Sequence, residues 1–416
     1  MKAPSTKPPK VIVLGTGFAA FSFLRHIDLK RYEVVIVSPR NHFLFTPLLP
    51  STTVGTIEFR SIIEPIRQAI DKAAVAYYQA ACTAIDPATR LVTCEGVFDK
   101  ETFLLSYNTL VIAVGAISKT FNVPGVAEHA MFLKELSHAR AIRQRIIECF
   151  ERASTPMQTE DERRRLLHFV IVGGGPTGVE FAAELHDFVQ DDLRRWFPAL
   201  LNDVRITIVD ASKSLLNTFD VKLSEYTMKL FRREKIGVRT QSSVKEVRAQ
   251  EVVLMDDTVL PCGMVVWSTG IGATPMVQSL PFPKDRGQRL ITDTFFAVDA
   301  SPSIYAIGDC ATRQGDALPA TAQVAQQEGE FLAKHLNRLV RGRESKNFKY
   351  RHMGMLAYIG DRRALADTAY LKGHGFATWL FWRSAYVTKL VSLKNKTLVL
   401  FDWFKTMMFG RDISRF

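Results

Sequence analysis

Two glycine-rich stretches of the same design lie 158 residues apart, Gly15-Thr16-Gly17-Phe18-Ala19-Ala20 and Gly173-Gly174-Gly175-Pro176-Thr177-Gly178. Each follows a short apolar run, Val11 to Leu14 and Phe169 to Val172, and opens a helix-like segment, the context in which this pattern marks a dinucleotide site. The first glycine permits a tight turn, the second lets backbone approach a pyrophosphate, and the third lets helix lie close on strand. The helix N-terminus then offers unpaired N–H groups to phosphate. Ala20 holds the third place in the first unit, a methyl that such sites tolerate. Two units in one chain imply two dinucleotides face to face, the layout of a flavoprotein that takes hydride from a nicotinamide.

The ribose ends assign the ligands. About 20 residues after a fingerprint the second strand normally ends in an acid that accepts from ribose hydroxyls. The run Val204 to Val209 ends in Asp210, 32 residues after Gly178, so roughly a dozen residues from Gln190 to Leu201 read as an insertion. Asp210 would repel a 2′-phosphate and so favours NADH over NADPH. The run Tyr32 to Val37 instead ends in Ser38-Pro39-Arg40 with no acid, so that ribose must be held differently.

These groups need a scaffold, and the pattern supplies one twice. From Lys10 to about Ser118 it reads as βαβ followed by strands, ending in the buried strand Leu110 to Val114 before Gly115. A helix with Ile142, Ile146, Ile147 and Phe150 at helical spacing follows, and Glu160 to Arg165 reads as a solvated approach to the second unit. That unit closes on Met264 to Thr269 before Gly270, matching the first. The strand Ser303 to Ile307 ends in Gly308-Asp309, whose carboxylate can accept a ribityl hydroxyl and so returns the chain to the first ligand. The predicted fold class is α/β, two Rossmann-like dinucleotide-binding domains plus a C-terminal amphipathic helical membrane-anchoring region. The division is a split FAD-binding domain, 10–120 and 290–340; an NADH-binding domain, 165–285; and a membrane-associating region, 341–416.

At 416 residues, 47% apolar and 23% charged, the chain is a globular protein of two or three domains. Five scattered cysteines form no C-x-x-C pair and nine histidines form no ligand cluster; this excludes a redox disulfide of the usual spacing and argues for no metal. The net charge of +12 is local: residues 331–416 hold 17 Lys/Arg against 5 Asp/Glu, and the rest balances. Such a surface suits nucleic acid or anionic membrane, and no nucleic-acid-binding signature accompanies it. Lys2 to Leu24 imitates a signal peptide but is needed by the first nucleotide unit, and no run of 18 apolar residues predicts a spanning helix. Leu400, Trp403, Phe404, Met407 and Met408 form a helical stripe with Asp402 and Lys405 off it; Trp379, Trp382, Tyr386, Leu390 and Leu393 form another beside Arg383, Lys389, Lys394 and Lys396. Either stripe could be core or a subunit interface. The basic excess favours an in-plane anchor, with Trp379, Trp382, Trp403 and Phe404 at the lipid.

With these pieces in place the chain resembles, nearly end to end, the type II NADH:quinone oxidoreductases. The resemblance rests on Ser38 to Pro50, Gly173 to Leu185, Ala306 to Ala311, the Ala322-Gln323 segment and Trp379 to Phe416. It implies an FAD cradle from Gly15, Gly17, Ala20, Arg40, Thr46, Pro47, Gly115 and Asp309. It implies NADH contacts from Gly173, Gly175, Gly178, Glu180 and Asp210, and a pocket for ubiquinone or menaquinone lined by Gln323 and Gln327. It further implies a homodimer peripheral to a membrane, bacterial on its cytoplasmic face or mitochondrial. No EF-hand-like insertion supports calcium control.

In such an enzyme Glu180 would approach the nicotinamide or feed a proton; otherwise it is a helix carboxylate facing solvent or an arginine. Gln323 would bond a quinone carbonyl; otherwise it caps its helix. Three rival readings share the frame: a sulfide:quinone oxidoreductase, which needs cysteines at the flavin where only Cys310 qualifies; a soluble NAD(P)H-dependent electron-donor reductase, which has no use for the basic aromatic tail; and a non-enzymatic NADH-sensing flavoprotein.

Overall fold

The computed structural model describes residues 7–70, 74–298, 303–369 and 371–415. They pack as two compact units. The first comprises Met1–Phe43, Glu64–Ile117 and Ile271–His352; the second comprises Leu44–Ile63, Ser118–Gly270 and Met353–Phe416.

The first unit is built on a five-stranded parallel sheet in the order Ile304–Ala306, Thr109–Ile112, Lys10–Leu14, Glu33–Val37, Val75–Tyr78. Both faces of its central strands are covered, which is why Val11 to Leu14 and Val34 to Val37 are unbroken apolar runs. An antiparallel meander, Ala80–Asp86, Leu91–Gly96 and Thr102–Ser106, links the fifth-placed strand to Thr109–Ile112. The late strand Ile304–Ala306 therefore completes a sheet begun at Lys10. The helix Ala322–Leu339 lies directly on the first fingerprint helix, Phe18–His26: Ser22 Oγ donates to Gln326 O at 2.7 Å and Tyr32 OH to Leu336 O at 2.7 Å. The approach is so close that a Cβ on Gly329 would fall 2.2 Å from Ala19 O.

The second unit repeats the plan: Met131–Phe132, Met264–Trp267, His168–Val172, Arg205–Val209, Gly237–Arg239, all parallel, with the meander Val244–Arg248, Glu251–Leu254, Val259–Pro261. Helix Leu136–Ala153 buries Ile142, Ile146, Ile147 and Phe150, as their spacing predicts. Glu160 to Arg165 is more ordered than a solvated approach. Thr159 caps a helix there, Glu160–Leu166, with acids in its first turn and arginines in its last, the favourable sense for the helix dipole. The insertion from Gln190 extends the second fingerprint helix, Pro176–Phe188, through a π turn at Val189–Leu193 and a 3₁₀ turn at Pro198–Asp203.

Residues 353–416 belong to this second unit instead of standing apart. They form an antiparallel sheet, Met355–Gly360, Arg363–Asp367 and Lys372–Gly375, then helices Phe376–Lys389 and Leu393–Phe409. The last helix docks on a mixed face, burying Asn395 and Asp402 beside Val399 and Trp403. Asn395 Nδ2 donates to Ser61 O and Ile63 O, each at 2.9 Å. Asp402 Oδ2 accepts from Ser61 Oγ at 2.6 Å and from Glu58 N at 3.0 Å. Its solvent side carries Leu393, Leu400, Phe401, Phe404, Met407, Met408 and Phe409, all exposed. One expectation is corrected here: Trp382 and Trp403, expected at the lipid, are buried at 3% and 5% exposure, while Asp402 lies off the exposed stripe, buried at 4%. The stripes were assigned to single faces, whereas each helix is apolar over more than one, and the indoles took the inner one. No helix among the described residues is long and apolar enough to cross a membrane.

Gly329→Val forces the two helices of the first unit apart, because its side chain meets backbone that cannot rotate away. Overpacking of this kind costs about 1–3 kcal/mol or more. The expected outcome is a lower unfolding midpoint together with loss of bound flavin on gel filtration, whereas a surface control such as Met157→Ala, whose side chain is 91% exposed, leaves both unchanged.

Candidate dinucleotide sites and a buried carboxylate face

Each fingerprint makes the turn its glycines predict. Gly15 has φ 110°, and a Cβ there would lie 2.3 Å from Ala113 O. At Gly178 a Cβ would strike Gly173 O at 1.9 Å, so the helix can cross the strand end only without a side chain. In contrast, nothing lies within 4 Å of the Cβ positions of Gly17 and Gly175, the residues preceding helices Phe18–His26 and Pro176–Phe188. Neither of these helices has a side-chain cap, whereas Thr159, Asp220, Thr321 and Ser392 each cap theirs. Open space in front of uncapped N–H groups fits a pyrophosphate at both places.

Asp210 ends its strand as predicted, and its carboxylate also organises the loop: Oδ2 accepts from Gly174 N at 2.5 Å and Oδ1 from Ser212 N at 2.6 Å. At the other ribose end Thr16 Oγ1 lies 3.2 Å from Ser38 Oγ, Arg40 O and His42 O, which folds the Arg40 loop beneath the first fingerprint. Ala20 is fully buried, Gly115 has φ 68°, and Asp309 sits in the turn Gly308–Cys310, all within the first unit. Thr46 and Pro47 open a 3₁₀ turn, Thr46–Leu48, in the second unit.

The structure adds a residue that sequence reading missed. Gly308 N donates to Glu328 Oε2 at 2.6 Å, and burial, reinforced by the Asp309 charge, raises this carboxyl to about 7. Only Glu328's place in the second turn of the helix, at the Ala325 and Gly329 contact face, could have signalled this. Cys310 next door is inert: its thiol is buried against Ile307 O and Ile112 O and pushed up to about 12 by burial, so it supplies no thiolate. That removes the cysteine on which the sulfide-oxidising alternative depended.

Gln323 lies half-buried in the first turn of its helix, and the cap is Thr321, whose Oγ1 accepts from Val324 N. Capping is therefore not its role. Gln327, three residues on from Val324, has its amide engaged: it donates to Arg351 O and accepts from Arg351 N, both at 2.9 Å.

The second fingerprint helix carries three acids on one inward face, Glu180, Glu184 and Asp187, all buried. Glu180 Oε1 accepts from Tyr358 N at 3.1 Å, and burial, with the like charge of Glu184, raises its carboxyl to about 8. It faces neither solvent nor arginine. Glu184, raised by burial, accepts from Ser51 Oγ at 2.6 Å and Thr56 Oγ1 at 2.7 Å. Asp187 accepts from Tyr358 OH and, at 3.1 Å, from Asp361 N. Among the described residues no cluster could hold a metal ion.

The family model for pyridine nucleotide-disulphide oxidoreductases matches residues 9–329, and that for the NDH2 C-terminal domain matches 352–412. The chain is 47% identical over 411 residues to a probable NADH dehydrogenase of Dictyostelium discoideum, covering 98% of this chain and 91% of the relative. It is 42% identical to the mitochondrial internal alternative NAD(P)H-ubiquinone oxidoreductase A1 of Arabidopsis thaliana, covering 98% of this chain and 86% of the relative. This chain belongs to the type II NADH dehydrogenase family. The NDH2 of Plasmodium falciparum, solved in complex with NADH, superposes with a TM-score of 0.94 at 28% identity over 98% of this chain and all of that one. The two-dinucleotide fold expected from the paired fingerprints is thus the fold of the family, FAD-dependent and NADH-using.

Because the Glu180 carboxyl rises from 4.5 to about 8, the folded protein holds a proton there that the unfolded chain releases. Its contribution to stability is full below pH 4.5 and is lost as pH rises through about 8. Glu180→Gln keeps an acceptor for Tyr358 N and cannot ionise. The variant should show a shallower fall of its urea midpoint across this window than the unaltered protein; identical slopes would place the titration elsewhere.

Proposed function

We propose that the protein oxidises NADH through bound FAD and reduces a membrane quinone without moving protons across the bilayer. The observation that carries this is the pair of open, uncapped fingerprint helices, one in each parallel sheet. FAD is assigned to the first, with Gly15, Gly17, Ala20, Arg40, Gly115 and Asp309. NADH is assigned to the second, with Gly173, Gly175, Gly178, Glu180 and Asp210. The flavin, when bound, accepts two electrons from the nicotinamide and yields them to quinone. The chain binds, orients and excludes water. Asp210 places a negative charge where a 2′-phosphate would sit and so selects NADH. Glu180, protonated at neutral pH, holds a proton at Oε in a dry setting. Gln323, in the first turn of its helix, is assigned the quinone carbonyl as partner for its amide. Relatives named for ubiquinone and for mitochondria favour that quinone and the mitochondrial inner membrane over menaquinone and a bacterial one.

The test is stepwise. Anaerobic NADH should bleach the flavin absorbance and quinone should restore it. Gln323→Leu should leave the first phase nearly intact and slow the second, since only the second uses that amide. Equal slowing of both phases would make Gln323 structural, and no reoxidation by quinone in the unaltered protein would favour the NADH-sensing alternative.

The membrane reading rests on the outer side of the last helix. A soluble helix shows polar residues to water; this one buries Asn395 and Asp402 with Val399 and Trp403 and exposes Leu400, Phe401, Phe404, Met407 and Met408. An exposed apolar patch rimmed by cations suits an in-plane lipid anchor, and each Lys/Arg at an anionic surface adds about 1 kcal/mol. Phe401→Asp with Phe404→Asp should abolish flotation with anionic vesicles while flavin content and NADH bleaching persist, and high salt alone should release the unaltered protein only partly. If the double variant still floats, or if it changes oligomeric state instead, the face is a contact between subunits.

A further inference from the structure

Arg383 on helix Phe376–Lys389 is an unusual cation. Its guanidinium carbon lies 4.0 Å from the Trp379 ring centroid and 4.4 Å from that of Trp403, so it is clasped between two indole faces. Among the described residues it has no ion pair, and its Nε is buried without a hydrogen-bond partner. Burial pulls its pKa down to about 10, only partly offset by Tyr358 and the charge of Glu184. Arg411, also buried, shows the usual arrangement: its Nη1 reaches Asp192 Oδ2 at 2.8 Å. Indole faces stabilise a cation, but they satisfy none of the five guanidinium N–H donors.

Arg383 borders an open groove between the two C-terminal helices. Val387, Leu400, Phe404 and Met407 form its apolar wall, with Trp403 beneath. Ser384 and Thr388 also line it, but their hydroxyls donate to Leu380 O at 2.9 Å and Ala385 O at 2.8 Å within their own helix. The groove thus joins a guanidinium with no ion pair among the described residues and a buried, unpartnered Nε to an aliphatic and aromatic trough on the face read above as lipid-facing. A quinone tail would fill the trough and leave the cation unpaired. A phosphodiester with an acyl chain satisfies both, since the guanidinium fork matches phosphate oxygens two at a time. The stretch of the second unit that carries the groove, residues 353–416, holds 10 Lys/Arg against 4 Asp/Glu and has the complementary sign.

We propose that the groove between helices Phe376–Lys389 and Leu393–Phe409 binds one anionic phospholipid, its phosphate on Arg383 and an acyl chain along Val387, Leu400, Phe404 and Met407. This rests on the membrane reading and deepens it: the helices hold a specific lipid in addition to lying in the surface. Trp379 and Trp403 act as positioning residues, fixing the guanidinium plane at the groove's edge.

The flavin-loaded full chain is titrated with dioctanoyl phosphatidylglycerol below its micellar concentration, read by calorimetry and tryptophan fluorescence. Binding of one lipid per chain is expected, and Arg383→Met should weaken it about tenfold or more, the size of a lost charge-assisted hydrogen bond. Arg383→Lys should recover part of the affinity and not the whole, because an ammonium lacks the fork. Phe404→Ala should weaken binding through the trough alone. Unchanged flavin content and far-UV spectrum show that each variant is folded. Equal lipid affinity in Arg383→Met, stoichiometric displacement by decylubiquinone, or inorganic phosphate binding as tightly as the lipid would each overturn the site, the second by making it a quinone channel and the third by making it a plain anion pocket. Vesicle flotation separates the two readings: Arg383→Met should still float on its exposed apolar face. If the unaltered protein does not float, the membrane reading itself fails.

Discussion

Three carboxylates inside one helix set the terms for the second unit. Glu180, Glu184 and Asp187 follow the fingerprint at Gly173 to Gly178 on a single inward face, and a buried carboxyl is tolerated only where it is hydrogen-bonded, paired or protonated. Each uses a different solution. Glu180 stays protonated against the Tyr358 backbone; Glu184 is held by two hydroxyls, Ser51 and Thr56; Asp187 takes Tyr358 OH and the Asp361 backbone. The partners come from the segment after Pro50 and from the sheet beginning at Met355, so the same face that serves the nucleotide helix also recruits the C-terminal region. Arg411 closes the arrangement. Its guanidinium meets Asp192 at 2.8 Å, Thr56 Oγ1 at 2.9 Å and Glu184 at 3.9 Å, which ties the end of the last helix to the same acids. Removing one member of such a buried network leaves the others unpaired and typically costs about 3–5 kcal/mol.

What could be read from the sequence was what is local. The fingerprints, the apolar strands, the Ile142 to Phe150 face and the Asp210 strand end each depend on residues within a few positions of one another, and each stands where its pattern placed it. The acid at 210 proved to do more than the pattern implies, because its loop contacts, Gly174 N and Ser212 N, are turn geometry that spacing alone does not encode. Glu184 and Arg411 were illegible for another reason. Ser51 and Glu184 are 133 positions apart, and Thr56 and Arg411 are 355 apart; a hydroxyl, a carboxylate and an arginine at such separations carry no signal until the fold brings them together.

The C-terminal helices were misread in detail for a reason that bears on their use. Periodicity finds an apolar face but does not say what covers it, and these helices are apolar on more than one side. Trp382 and Trp403 went inward, against Tyr358 and one another, with ring centroids 5.6 and 6.1 Å apart. Asp402 and Asn395, which a soluble helix would show to water, became the docking groups.

That inversion has a thermodynamic logic. A docking face made only of side-chain dispersion would compete poorly with lipid, which offers the same apolar contact. Hydrogen bonds between Asn395 or Asp402 and the 58–63 segment have no equivalent in a bilayer, so on the proposed membrane reading they would hold the helix to the protein and leave its outer residues to the lipid. Arg411 and Asp192 do the same at the chain's end. The polar contacts therefore orient the anchor, and the apolar ones give it affinity. The two tasks fall to residues on opposite sides of one helix, and so substitutions on the outer side can alter attachment to membranes while the carboxylate face, and the nucleotide helix that carries it, keeps its structure.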